Sequence, residues 1–254
     1  MAVQTFENIE IGQIPPTPTE GRVNPSETEE ASKALIAHAN KFGFPVAYKQ
    51  EQLGRLVHNL IPSKQFENDQ ISGSSKVELE FHTESAFHPY RPSHVHLLCL
   101  RGDQQAATTY ADLEDILQEL SPKTIEILQY PWYETGIDQS FRTNGQQNKN
   151  QIITPLRKTL EWELCYDGEL TYGKNSEAQD ALNELRQTIR KVVKQIVLQA
   201  GQILTIDNKT TVHGRTPFQP RYDGTDRWLQ RVLTIKTRPP KSHLDGNIIT
   251  TEFR

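Results

Sequence analysis

The chain has 254 residues and a formal net charge of −4 at pH 7, with a sequence pI near 6.1. That length suits one domain with a sizeable core, and the mixed charge, without long runs of either sign, argues against nucleic acid or an anionic membrane as the main partner. No stretch approaches the roughly 18 apolar residues of a membrane span, and Met1-Ala2-Val3-Gln4-Thr5-Phe6-Glu7 lacks the basic and apolar regions of a secretory leader. Two cysteines, Cys99 and Cys165, are too few for a disulfide framework, so a cytoplasmic chain with buried free thiols is expected.

Residues 1–25 read as an arm, with four prolines between positions 14 and 25. Ser26 with Glu29 three residues on has the form of a capping box. Ala31, Leu35, Ile36 and Ala39 then keep helical spacing, with Gly43 as a stop. A second helix is predicted over about 51–60, before Pro62. From 77 to 84 the period changes to two: Val77, Leu79 and Phe81 alternate with Glu78, Glu80, His82 and Glu84. That is a half-buried strand, on which His82 and Glu84 point the same way.

Val95 to Arg101 reads as a buried strand and Asp112 to Leu120 as a helix, and Ser121-Pro122 restarts a further helix as N-cap and first residue. Residues 134–154 are polar and without period, which predicts a lid within about 134–160. A strand over 160–166 follows. Leu182, Leu185, Ile189, Val193, Ile196 and Val197 form an amphipathic helix stopped by Gly201. Strands at 203–207 and 231–237 flank the His213 segment. Helices around many non-sequential strands predict a single α+β domain, 1–254, with a jelly-roll centre. No glycine-rich phosphate fingerprint is present.

His82, Glu84 and His213 together offer two imidazoles and one carboxylate. Such a set leaves positions open on the ion, which suits a non-haem ferrous ion that must also hold a bidentate co-substrate and dioxygen. A structural zinc site would be closed by a fourth ligand. Gly214 lets backbone approach His213 closely. His94 and His96 share a strand face, but no acid follows at the spacing a second metal set needs, so packed histidines are expected there.

Arg227 lies fourteen residues after His213, and Arg231 four further on. If the segment is extended, both guanidiniums share one inward face, where they repel unless carboxylates occupy them. Arg227 is the candidate clamp for the distal carboxylate of 2-oxoglutarate. Arg231 is the candidate for a substrate carboxylate.

Two blocks carry a resemblance to a known family. The first is His82-Thr83-Glu84-Ser85-Ala86-Phe87-His88-Pro89-Tyr90-Arg91-Pro92, running into Leu97-Leu98-Cys99-Leu100-Arg101-Gly102. The second is Val212-His213-Gly214-Arg215-Thr216-Pro217-Phe218, followed by Asp226-Arg227-Trp228-Leu229-Gln230-Arg231. From about 77 to 237 the chain resembles the clavaminate synthase-like group of the taurine dioxygenase superfamily. The resemblance implies a double-stranded β-helix, Fe(II) on His82, Glu84 and His213, and 2-oxoglutarate on Arg227 with help from Thr109 or Thr108. It also implies that Arg231 takes the carboxylate of an amino-acid substrate and that Asp167 faces the substrate side chain.

The reaction so implied consumes 2-oxoglutarate and O₂, yields succinate and CO₂, and hydroxylates an unactivated carbon. Glu84 speaks against halogenation, which needs the carboxylate position free. The expected substrate is a free L-amino acid, arginine-like or lysine-like, because Glu161, Glu163 and Asp167 supply acids for a buried cation. Desaturation or cyclisation on the same iron is the alternative outcome. A zinc hydrolase on the same ligands would not require Arg227, and a jelly-roll binding module without chemistry would show a broken triad. Oligomeric state has no signature in this sequence.

Overall fold

The computed structural model describes residues 3–19, 23–142 and 150–251. In chain order the first strands are β1 (Val3–Phe6), β2 (Phe44–Tyr48), β3 (His58–Leu60), β4 (Leu79–His82), β5 (His94–Arg101) and β6 (Thr108–Asp112). Short strands follow: β7 (Tyr133–Thr135), β8 (Gln151–Ile153), β9 (Leu156–Lys158), β10 (Trp162–Leu164), β11 (Thr171–Gly173) and β12 (Lys194–Ile196). The last are β13 (Ile203–Asp207), β14 (Thr211–Arg215), β15 (Trp228–Ile235), β16 (Leu244–Asp245) and β17 (Ile248–Ile249). The helices are α1 (Glu29–Ala39), α2 (Leu113–Glu119), α3 (Pro122–Ile127) and α4 (Ser176–Val192). None is long and apolar enough to cross a membrane.

Two sheets make the centre. The larger runs β1-β13-β5-β15-β2-β17-β16, with β3 also on β15, and the smaller runs β12-β6-β14-β4. β5 is buried except at Arg101 and β15 throughout, as strands covered on both faces are. Val95, Leu97 and Cys99 join Leu229 and Leu233 in the core between the sheets. The alternate residues Leu98, Leu100, Trp228 and Val232 pack outward against Ala31, Leu35 and Ala39 of α1. The smaller sheet repeats the pattern, with Phe81, Ala111 and Val212 packed among Leu182, Leu185 and Ile189 of α4. A period of two therefore sends their neighbours His82, Tyr110 and His213 inward. Each fully buried leucine or isoleucine contributes about 1.5–3 kcal/mol, so the helices hold the outer faces while His82, His213 and Arg231 share the inner ones with apolar side chains.

Several local expectations are corrected. Pro25–Thr28 is a 3₁₀ turn capped by Asn24, whose side chain accepts from Ser26 N, so α1 starts at Glu29 without the Ser26 capping box. Residues 51–60 are not helical: a 3₁₀ turn at Gln52–Gly54 carries Leu53 at φ 59°, and β3 then pairs with β15. Pairing with a long central strand outweighs weak helix propensity there. α4 ends at Val192, and Lys194–Ile196 leaves it to pair with β6. Ser121 does cap α3, accepting from Thr124 N at 3.2 Å. The segment expected as a lid is not structureless: β7 and β8 pair within it, and part of it, 143–149, lies outside the described residues. His94 and His96 are packed, with His96 bonded to Thr205 and Thr234.

Candidate metal centre and co-substrate pocket

β4 and β14 run antiparallel with His82 directly opposite His213. That register places the two rings 4.5 Å apart between centroids. Gly214 permits the approach, because a Cβ there would meet the Leu79 carbonyl oxygen at 2.4 Å. Glu84 reaches the same place by another route than the one expected. β4 ends at His82, and Glu84 sits in a turn in which Ser85 has φ 52°. Asn208, fully buried, fastens this turn. Its Oδ1 accepts from Glu84 N at 2.6 Å and its Nδ2 donates to Glu84 O at 3.1 Å and Pro92 O at 2.9 Å. Strand alternation thus does not align His82 with Glu84; a buried amide does.

Ligand atoms of His82, Glu84 and His213 lie within 4.8 Å of one another. The His82 Nδ1 is engaged by the Glu80 carbonyl at 2.8 Å, which leaves Nε2 for an ion, the usual arrangement for an imidazole ligand. The buried His213 Nδ1 has no hydrogen-bond partner among the described residues, and its Nε2 is 3.7 Å from Glu84 Oε2. Burial, reinforced by His82, lowers the His213 pKa and keeps the ring in the neutral form a metal needs. Burial alone would raise the Glu84 carboxyl, but Arg231 and the two imidazoles outweigh it and hold it ionised. The donor set fits a divalent ion with open positions.

Arg227 and Arg231 lie on the inner face of the β15 segment, as the spacing requires, but in unlike surroundings. Arg227 is buried, and its one hydrogen bond among the described residues is a long 3.4 Å contact to Thr108 Oγ1. Burial pulls its pKa down to about 10. A cavity joins it to Thr108, Arg215, His213 and Glu84. A buried guanidinium without a carboxylate partner is costly, and an anionic ligand would remove that cost. Thr108 lines this cavity. Thr109 pairs with Gly214 across the sheet, and its buried hydroxyl has no partner; alternation turns it to the opposite face.

Arg231 is bracketed by two acids. Nη1 donates to Glu84 Oε1 at 2.9 Å, and Nη2 donates to Glu51 Oε1 at 2.5 Å and to His58 Nδ1 at 2.8 Å. Because arginine only donates, His58 Nδ1 accepts and its Nε2 carries the proton toward the Arg55 carbonyl, 2.8 Å away. Among the described residues nothing is bonded to the buried Arg231 Nε and Glu51 Oε2. The second cavity, of about 70 Å³, runs from here past His82 and Glu84 to Asp138, Asp167, Glu80 and Glu169.

Asp167 does reach the site, its backbone bridged to His82 and its Oδ1 accepting from Glu169 N and Leu170 N at 2.9 and 2.8 Å. Glu161 and Glu163 do not: neither lines this cavity, and Glu163 pairs with Arg157 at 2.8 Å. Sequence reasoning missed Glu51, Asp138 and Asn208. Burial, then the Asp167 charge, lifts the Asp138 carboxyl to about 7. Glu51 was hidden inside a stretch read as helix. Asp138 is one of two acids, with Glu134, in the polar 134–154 run, and nothing local sets it apart.

Comparison with known proteins agrees with this geometry. L-asparagine oxygenase from Streptomyces coelicolor is 37% identical over 227 residues, covering 87% of this chain and 67% of that protein. L-lysine 3-hydroxylase from Catenulispora acidiphila is 32% identical over 257 residues, covering 96% and 70%. The crystal structure of an asparagine oxygenase with Fe(II), 2S,3S-3-hydroxyasparagine and succinate superimposes with a TM-score of 0.90 at 31% identity, covering 99% of this chain and 80% of that one. A family model matches residues 20–233, and the chain belongs to the family it describes, the taurine catabolism dioxygenases TauD and TfdA.

Proposed function

We propose that this protein is an Fe(II)/2-oxoglutarate-dependent oxygenase that hydroxylates an unactivated carbon of a free L-amino acid with a basic side chain. The observation that carries the reading is the convergence of His82, Glu84 and His213 between two cavities of opposite character. One ends on the guanidinium of Arg227, which has no carboxylate partner among the described residues, and the other carries the carboxylates of Glu51, Glu80, Glu84, Asp138, Asp167 and Glu169.

His82, Glu84 and His213 would hold the iron. Bound there with 2-oxoglutarate and dioxygen, it supplies the oxidising power to functionalise an aliphatic carbon, with succinate and CO₂ as co-products. The protein's own work is positioning. Arg227 takes the distal carboxylate of 2-oxoglutarate with Thr108 beside it, so burial of the co-substrate relieves burial of the guanidinium. The free Arg231 Nε and the free Glu51 Oε2 offer one donor and one acceptor, complementary to the carboxylate and ammonium of an α-amino acid. Arg231 also steadies Glu84, so substrate and metal ligand share one guanidinium. Asp138 and Asp167, farther along the cavity, suit a cationic side chain, because an ammonium or guanidinium would offset two close carboxylates.

The relatives are named for different amino acids, asparagine and lysine, so the lining beyond Arg231 supports the choice of substrate. The test is mass spectrometry of the protein with Fe(II), ascorbate, 2-oxoglutarate and the free L-amino acids. Gain of one oxygen on lysine, arginine or ornithine, with equal succinate, is expected. Gain on asparagine alone would overturn the basic-substrate reading, and loss of two hydrogens would replace hydroxylation with desaturation.

A further inference from the structure

A third cavity, of about 280 Å³, lies beside the metal-ligand turn and shares no lining residue with the two already described. Its charged walls are Arg91, Arg157, Lys209 and the single acid Glu163. Glu163 is already committed, 2.8 Å from Arg157 and 3.6 Å from Arg91. Arg91 is buried. Its Nη1 donates to the Leu164 carbonyl at 2.6 Å and lies 3.4 Å from the hydroxyl of Thr83, the residue between two candidate metal ligands.

Lys209 is half-buried, and among the described residues its ammonium has neither a hydrogen bond nor a carboxylate within 4.0 Å. Burial, then repulsion from Arg91, brings its pKa down to about 8. The frame is fixed, since the Lys209 carbonyl accepts from Leu164 N at 2.7 Å and its amide donates to Asp207 Oδ1 at 2.9 Å. Arg91 has a structural task in holding Thr83 and Leu164. Arg157 pairs with Glu163, but nothing comparable accounts for Lys209 on the same walls, where three cations meet one acid. A surplus of positive charge on walls that hold the buried Arg91 and the half-buried Lys209 favours an anion there.

We propose that this cavity is a second anion site, taking one carboxylate or phosphate group between Lys209, Arg157 and the buried edge of Arg91. The site is separate from the pocket that ends on Arg227.

The experiment is anaerobic calorimetry on the protein loaded with Fe(II) and saturating 2-oxoglutarate, so that the Arg227 pocket is filled. Inorganic phosphate and succinate are titrated separately, at constant ionic strength held with potassium chloride. Saturable binding of at least one anion is expected, weakened tenfold or more by Lys209→Gln and by Arg157→Gln and retained by Lys209→Arg. The tighter anion identifies the source, phosphate ester or organic acid. Absence of saturable binding for both anions overturns the proposal. So does binding that Lys209→Gln and Arg157→Gln leave within twofold, or that only Arg227→Ala removes. Arg157 is exposed, so its variant reports on the site even if Lys209→Gln does not fold.

Discussion

Arg231 donates to Glu84 Oε1 at 2.9 Å while Glu84 Oε2 stands 3.7 Å from His213 Nε2. The carboxylate of the candidate metal set is thereby held by a guanidinium on one side and faces an imidazole on the other. Glu51 grips the same guanidinium at 2.5 Å. Removing one partner from such a buried group leaves uncompensated charge, at a cost of about 3–5 kcal/mol. Arg231→Met should lower the urea midpoint accordingly, and adding Glu51→Gln should recover part of the loss. A single variant within about 0.5 kcal/mol of the parent, the noise of an ordinary surface change, would show that the pairing contributes nothing.

Arg227 should govern the co-substrate and little else. Arg227→Ala is expected to raise the 2-oxoglutarate KM by about 100-fold, equivalent to about 3 kcal/mol, the scale of charge-assisted hydrogen bonds. Arg227→Lys should lose less, because the charge remains without the fork. Initial rates of succinate formation against 2-oxoglutarate concentration decide this. A zinc hydrolase using the same ligands would be indifferent to the change.

Asp138 predicts a pH dependence. Burial and the Asp167 charge raise its pKa to about 7, so it is protonated below that pH and ionised above it. An acid whose folded pKa is raised withdraws stability progressively as pH climbs from its unfolded value near 4 to about 7. Binding of a cation runs the other way, since it favours the ionised form. The KM of a basic amino acid should therefore fall as pH rises through 7, by up to about tenfold per unit below that pKa. Asp138→Asn should flatten the profile. A profile unchanged by that variant would remove Asp138 from substrate binding.

Asn208 is expected to act on the metal without touching it. Asn208→Ala leaves the Glu84 amide and the Pro92 carbonyl without the partners they now have. Fe(II) affinity should fall about 10–100-fold, as for other supports of metal ligands, with a stability loss of about 1–3 kcal/mol. Iron titration of the purified variant measures the first and urea unfolding the second. Full iron affinity in a folded variant would make Asn208 a bystander.

Acid should unfold the protein partly through His96. Burial, then His38 and His94, depresses its pKa to about 3. A histidine so depressed contributes stability that is fully present above its unfolded pKa near 6.5 and is lost as pH falls toward 3. At pH 5 the loss is about 2 kcal/mol. His96→Gln should shrink the stability difference between pH 7 and pH 5 by about that amount in urea titrations.

What the sequence determined by itself is the chemistry available and its spacing along the chain. Period-two patterning located β4; β5, β13 and β15 were read as strands without it, and helical spacing located α1 and most of α4. His82, Glu84, His213, Arg227 and Arg231 were legible from the His-x-Glu spacing, the arginines fourteen and eighteen residues after His213, and the resemblance their two blocks carry. Tertiary structure decided the rest. Pairing with β15 turned 58–60 into a strand, and pairing with β6 took 194–196 from the helix, because ladder hydrogen bonds and burial outweigh propensities of a few tenths of a kcal/mol per residue. Glu51, Asp138 and Asn208 became visible only in three dimensions. Each acts on a group distant in sequence, Asn208 on Glu84 124 residues away and Glu51 on Arg231 180 away, and no local pattern encodes a contact of that range. The same reason explains why Thr108 faces the Arg227 cavity and Thr109 does not. Adjacent residues on a strand look alike in sequence, and only the sheet assigns them opposite sides.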